Sequence, residues 1–234
     1  MKPNICIICA RKNSKGIKNK NLIKLNKKTL IQISYEQAKK SNIFDKIIIS
    51  SDSPYILNIS KRLGFDLIIK RPIYLASDRA GKVDAIKHAL LKAEVYFDKK
   101  YKNVFDLDVT SPLRSFKDIK KAFLIFNKKK ANNLVTVCKS RKNPYFNMIE
   151  KTKNKLKIVS NKKSFKSRQA APKVYDMNAS IYIWTRNSLL KNKLFNSKTV
   201  YYEMPVSRSI DIDSIFDFKI VKFIYENKKI FRKL

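Results

Sequence analysis

Residues 5–21 read Ile5-Cys6-Ile7-Ile8-Cys9-Ala10-Arg11-Lys12-Asn13-Ser14-Lys15-Gly16-Ile17-Lys18-Asn19-Lys20-Asn21. A short apolar run that breaks into a loop of Arg, Lys, Ser, Asn and one Gly predicts a buried β-strand that delivers an anion-binding loop at its carboxyl end. Arg11, Lys15 and Lys20 offer fixed positive charge. Gly16, Ser14 and backbone N–H groups let the chain close around phosphate oxygens. A solvated basic β–α turn would look the same locally. The loop is neither a Gly-x-x-x-x-Gly-Lys-Ser/Thr P-loop nor a Gly-x-Gly-x-x-Gly dinucleotide turn, which disfavours a P-loop ATPase or a dehydrogenase.

Outward from this stretch, strand and helix patterns alternate. Apolar helical spacing covers 28–41, a second strand runs from Lys46 to Asp52, a helix continues through Arg62, and a third strand spans Phe65–Ile69. A polar loop holding Arg71, Pro72 and Leu75-Ala76-Ser77-Asp78 leads to a helix near Val83–Phe97, a strand over Asn103–Val109, a helix over 116–129 and a strand over Asn133–Cys138. From Lys139 to about Pro172 the rhythm fails. It resumes with strands at Ala179–Trp184 and Val200–Met204 and a helix near Ile215–Tyr225. This order predicts an α/β fold: one Rossmann-like domain over 1–234 with a mainly parallel sheet, from which the irregular stretch departs as an excursion. The polar clusters fall where strands hand over to loops, so they should converge on one cleft.

With 234 residues and 44% hydrophobic content, the chain can fill the core of a single domain. Its 53 basic and 18 acidic residues give a net charge of +35, which raises nucleic acid as a partner. The excess is mostly Lys and is spread along the chain with Asn and Ile, as an AT-rich coding sequence would produce, so no specific nucleic acid is expected. A basic RNA-binding protein, the alternative from another class, calls for aromatics interleaved with charge on an open face. Here the aromatics sit mostly within apolar runs. Cys6 and Cys9 have redox-motif spacing but lie inside the strand, where they read as buried thiols. No run reaches membrane-spanning length and the first apolar run is too short for a signal peptide, which predicts a cytoplasmic chain with no membrane partner. The lone His88, in mid-helix, reads as structural.

Asp211-Ile212-Asp213 sets two carboxylates on one side of an extended segment with Ile212 turned inward. Two readings stay open: a Mg²⁺ pair, or an N-cap pair for the following helix.

Taken in order, Arg11-x-Asn13-Ser14-Lys15-Gly16, Lys20-Asn21, Arg71-Pro72, Leu75-Ala-Ser-Asp78, Thr110-Ser-Pro-Leu-Arg114, Arg168-Gln169, Asn178 and Ser209-Ile-Asp-Ile-Asp213 resemble the acylneuraminate cytidylyltransferases, or CMP-sialic acid synthetases, over nearly the whole chain. The resemblance implies CTP-dependent activation of a nine-carbon 2-keto-3-deoxy sugar acid, giving the CMP-sugar and pyrophosphate. It implies a homodimer built through a small lobe at 139–177. It assigns Arg11, Lys20, Asp211 and Asp213 to catalysis, with Mg²⁺ on the two aspartates. Arg11, Ser14, Lys15, Asn21, Arg71, Ser77, Asp78 and Thr110 would bind nucleotide, and Asp108, Arg168, Gln169, Asp176 and Asn178 would bind sugar. Many neuraminate-using members carry Gln and Arg where this chain has Asp108 and Asp176. The strings Asp106-Leu-Asp-Val-Thr-Ser-Pro112 and Tyr175-Asp-Met-Asn-Ala-Ser180 resemble the legionaminic acid branch, so legionaminate is expected ahead of pseudaminate and N-acetylneuraminate. A Kdo-type cytidylyltransferase is the near alternative.

Overall fold

A computed structural model describes residues 3–12, 16–77, 80–153, 155–160, 165–227 and 230. The elements run β1 (Asn4–Cys9), β2 (Lys24–Leu25), β3 (Lys28–Thr29), α1 (Leu30–Ser41), β4 (Lys46–Ser51), α2 (Pro54–Leu63), β5 (Leu67–Lys70), α3 (Lys82–Tyr96), β6 (Asn103–Leu107) and α4 (Phe116–Lys128). They continue with β7 (Asn133–Lys139), β8 (Ile149–Thr152), β9 (Lys155–Ile158), β10 (Tyr175–Thr185), α5 (Arg186–Leu190), β11 (Thr199–Glu203) and α6 (Ile215–Glu226). The central sheet has the order β11-β7-β10-β6-β1-β4-β5. Every neighbouring pair in it is parallel except those of β10, which is antiparallel to both β6 and β7.

Alternation along the strands divides the core into two layers. In β1, Cys6 and Ile8 join one cluster with helix residues such as Leu30, Ile56, Ile119 and Val221, while Ile5 and Ile7 join the other with Ile86, Leu90 and Leu189. Both faces of the sheet are therefore covered, which explains why the strands read as unbroken apolar runs. Capping side chains start the helices: Thr29 for α1, Ser53 with Pro54 after it for α2, and capping boxes at Ser115–Asp118 for α4 and Ser214–Asp217 for α6.

Most boundaries differ from the sequence expectation by one or two residues, and two of the differences bear on the cleft. β6 stops at Leu107 because Asp108 leaves the ladder, its carboxylate accepting from Thr110 two residues on. β10 begins at Tyr175, four residues early, pairing Tyr175, Asp176 and Met177 with Lys139, Cys138 and Val137 before a register break. Ala179 sits in that break at a φ of 50°. The irregular stretch between β7 and β10 carries only the β8–β9 hairpin as regular structure among the described residues, so it does depart from the sheet.

Candidate active site

The chain winds from β1 through β4 to β5 on one side, then crosses back to β6 on the other side of β1. The reversal opens a crevice beyond the carboxyl end of β1, where open α/β sheets bind ligands. A cleft of about 690 Å³ lies there, lined by Arg11, Gly16, Lys20, Asn21, Arg71, Ser77, Lys82, Asp108, Thr110, Asp211 and Asp213. Eight predicted catalytic, nucleotide-binding or metal-binding residues thus share one cavity, together with Asp108.

On the side of the loop after β1, Asn21 Nδ2 donates to Arg11 O at 2.9 Å and Lys12 N donates to Asp52 Oδ1 at 2.8 Å. Gly16 packs so tightly on the last loop that a Cβ would stand 1.8 Å from Asp213 O. Ser14, Lys15 and Asp78, also predicted to bind nucleotide, lie outside the described residues, as does Asn13 of the same motif. Arg71 is buried, with Nε on Ser50 Oγ (3.1 Å) and Nη2 on Ser50 O (2.8 Å), so it hangs from the end of β4.

The acidic pair occupies the far wall. Ile212 is fully buried and its N–H donates to Thr110 O at 2.9 Å, which leaves Asp211 and Asp213 turned to the cleft. Burial, then the neighbouring Asp213 carboxylate, pushes the Asp211 carboxyl up to about 6. Lys20 Nζ reaches Asp213 Oδ1 at 2.6 Å. The N-cap reading of Asp213 is corrected, because the cap of α6 is Ser214, whose Oγ accepts from Asp217 N at 3.2 Å. Two like charges held side by side and already drawing one cation match the one or two carboxylates that a Mg²⁺ shared with phosphates uses. No group of three or more His, Cys, Asp or Glu side chains that could hold a metal exists among the described residues.

Sequence reasoning missed Lys82 and left Asp106 unassigned. Lys82 Nζ lies 2.7 Å from Asp106 Oδ2 and 2.8 Å from Asp108 Oδ2, above the Tyr182 ring. Burial works against the Asp108 charge, but Lys82 and hydrogen bonds from Thr110 N and Oγ1 outweigh it and hold the carboxyl at about 2. Asp106 is fully buried, and burial raises its carboxyl. The signal was present: a carboxylate inside an apolar strand requires a partner. Arg114, in the Thr110-Ser-Pro-Leu-Arg114 string, is 1% exposed and braces the floor, with Nη1 on Ser180 O (2.6 Å) and Asp108 O (3.1 Å).

The remaining predicted sugar residues lie elsewhere. Arg168 and Gln169 line a separate hollow of about 620 Å³ with Ser140, Asn143, Tyr175 and Glu203, and Arg168 Nη2 donates to Ser140 O at 3.2 Å. Asp176 is exposed opposite Cys138, while Asn178 is buried with Nδ2 on Ser209 Oγ at 3.0 Å. Cys6 and Cys9 are thiols raised by burial, Cys9 to about 11, and burial lowers His88. No described helix is long and apolar enough to cross a membrane.

Sequence comparison matches the cytidylyltransferase family to residues 5–230. The chain belongs to the cytidylyltransferase family. Its relatives include the CMP-N,N'-diacetyllegionaminic acid synthase of Campylobacter jejuni, 44% identical over 97% of this chain and 96% of that one. The post-translational flagellin modification protein B of Campylobacter coli is 44% identical with the same coverage. Among solved structures, the CTP complex of a CMP:2-keto-3-deoxy-manno-octonic acid synthetase superposes with a TM-score of 0.71 at 13% identity, covering 96% of this chain and 99% of that one. The expected fold and family are thereby borne out.

Proposed function

We propose that this cytidylyltransferase joins CMP from CTP to the anomeric hydroxyl of a nine-carbon 2-keto-3-deoxy sugar acid, with an N,N'-diacetyllegionaminate-type acceptor preferred. The observation that carries this is 44% identity, sustained over 97% of the chain, to an enzyme named for CMP-N,N'-diacetyllegionaminic acid synthesis. The hydroxyl oxygen bonds to the α-phosphorus, the bond from that phosphorus to the β-bridging oxygen breaks, the hydroxyl proton is released and pyrophosphate leaves.

Arg11 and Lys20 meet the triphosphate, where negative charge grows on the non-bridging and leaving oxygens, and their work is positioning and electrostatics. Arg71, Ser77 and Thr110, with Asn21 steadying Arg11 O, complete the nucleotide wall; Ser14, Lys15 and Asp78 belong to it on sequence grounds. Asp211 and Asp213 hold Mg²⁺, which when bound neutralises phosphate charge and acidifies an adjacent hydroxyl. The high carboxyl of Asp211 supports this, since a bound cation would favour the ionised form against the burial and the Asp213 repulsion that raise it. CTP supply places the reaction in the cytoplasm.

The active form in this proposal is a homodimer. Within one chain the Arg168–Gln169 hollow shares no lining residue with the cleft, and the hairpin region exposes Met148, Ile149, Leu156, Tyr175 and Met177. A second copy covers that face and brings Arg168 and Gln169 to its partner's sugar, where Arg168 meets the sugar carboxylate. The test is pyrophosphate release from CTP and Mg²⁺ over a panel of sugar acids. Activity highest with the 5,7-diacylamino nonulosonate supports the proposal, and release only with an eight-carbon acid refutes it.

A further inference from the structure

The wall that closes the cleft on the β6 side has a donor–acceptor count that the sequence did not reveal. Asp108 alone would present acceptors only, but Lys82 changes what the acceptor substrate meets. Lys82 Nζ donates one N–H to Asp108 Oδ2 at 2.8 Å and stands 2.7 Å from Asp106 Oδ2 as an ion pair, with no hydrogen bond to that oxygen. Its side chain is 36% exposed and lines the cleft, so the ammonium keeps donor capacity beyond the bond to Asp108 for a group bound there. Asp108 Oδ1 already accepts twice, from Thr110 N (2.9 Å) and Thr110 Oγ1 (2.8 Å), whereas Oδ2 takes only Lys82 and keeps a lone pair. The wall therefore offers one donor and one acceptor, side by side and 2.8 Å apart.

Three features narrow what fits. A carboxylate is disfavoured, because it would face two aspartates for one ammonium. A secondary amide cannot use both groups, since its N–H and C=O point in opposite directions across a planar trans bond. A hydroxyl can: a single oxygen accepts from Nζ, donates to Oδ2 and closes a triangle of ordinary hydrogen-bond lengths. Strand order decides which substrate supplies it. The loop from Arg71 to Gly81 follows β5 on one side of the phosphate loop, whereas Asp108 follows β6 on the other, beside the acidic pair.

Resting on the transferase reading above, we infer that Lys82 and Asp108 together bind one non-reacting hydroxyl of the acceptor sugar. They act as a specificity-determining pair, with Asp106 as the positioning residue that holds Lys82 across the cleft. Charged hydrogen bonds of this kind are each worth roughly a tenfold to hundredfold change in kcat/KM.

The experiment compares kcat/KM for an accepted nonulosonate and for analogues each lacking one hydroxyl, at saturating CTP. The proteins are the unmutated chain, Lys82→Met, Asp108→Asn and Lys82→Met/Asp106→Asn. The double variant removes the buried carboxylate that Lys82→Met strands, so a soluble protein is available if the single variant does not fold. The unmutated chain should disfavour one deoxy analogue by roughly 10- to 100-fold. That preference should collapse to a few-fold in each variant, with ratios for the other analogues and KM for CTP unchanged. Equal loss toward every acceptor would show a purely structural role and overturn the inference, as would a change in CTP-over-UTP selection. If the unmutated chain releases no pyrophosphate with any sugar acid, the transferase reading itself falls and takes this inference with it.

Discussion

Gly16→Ala is a one-carbon change that tests the geometry of the phosphate loop. The added Cβ would stand 1.8 Å from Asp213 O and 3.0 Å from Asp213 C, both backbone atoms that no rotamer change can move aside. Real Cβ contacts do not fall below 3.0 Å, so the loop and the Asp211–Asp213 segment must separate by about 1.2 Å. Ile212 is pinned to Thr110 O and buried, so most of that movement falls on the loop carrying Arg11 and Lys20. A misplacement of about 1 Å between reacting groups costs roughly 100-fold in rate, equivalent to about 2.7 kcal/mol of barrier. Stability should fall little, because Gly16 lies exposed at the cleft rim. Steady-state pyrophosphate release from CTP and the sugar acid, alongside a thermal melt, reads both quantities. A Gly16→Ala protein within threefold of the unmutated kcat/KM would show that the loop and the acidic pair need not touch during catalysis.

Asp211→Asn should cut activity by orders of magnitude yet leave Tm at pH 7 equal or slightly higher. The folded Asp211 carboxyl, at about 6, binds its proton more tightly than an unfolded carboxyl, so its charge opposes folding above about pH 6 and that penalty lapses as pH falls; a clear drop in Tm contradicts this. For the same reason kcat/KM should decline as pH is lowered through about 6, and raised Mg²⁺ should move the decline to lower pH. Arg208→Met strands Asp118, which is buried and bound by Arg208 through Nε (3.0 Å) and Nη2 (2.9 Å), so stability should fall by about 3–5 kcal/mol, with activity per folded molecule retained. Urea titration checks it, and a loss below 1 kcal/mol would mean that Tyr202, whose hydroxyl also reaches Asp118, suffices. The charge of +35 should retain the chain on nucleic acid at low salt and release it at physiological salt; retention there would revive the RNA-binding alternative. Sedimentation at micromolar concentration should show a dimer, and a fully active monomer would defeat the shared sugar site.

Much of this architecture was legible because strand and helix differ in period. The alternating runs gave β1, β4, β6 and β7 to within two residues at each end, since a strand covered on both faces has no reason to carry polar residues. Convergence of Arg11, Lys20, Arg71, Thr110 and Asp211 followed from their places at strand ends. Lys82 escaped notice because one lysine among 53 basic residues carries no local mark; only the fold brings it to Asp106 and Asp108, 24 and 26 positions away. Asn178 and Arg114 were legible as motif members, but not as buried braces, because burial depends on a register break at 177–182 that no spacing rule announces.

That same antiparallel strand has a mechanical consequence. β10 leaves the lobe at Tyr175, hydrogen-bonded to the outgoing β7, so two paired strands rather than one carry the lobe. Two paired strands resist twisting more than one does, as far as the register break between Met177 and Tyr182. Within that break lies Ser180, whose carbonyl accepts from Asp108 N at 3.2 Å and Arg114 Nη1 at 2.6 Å, beneath the wall that holds Lys82. The anchor of the lobe and the floor of the cleft thus belong to one strand, on either side of its register break.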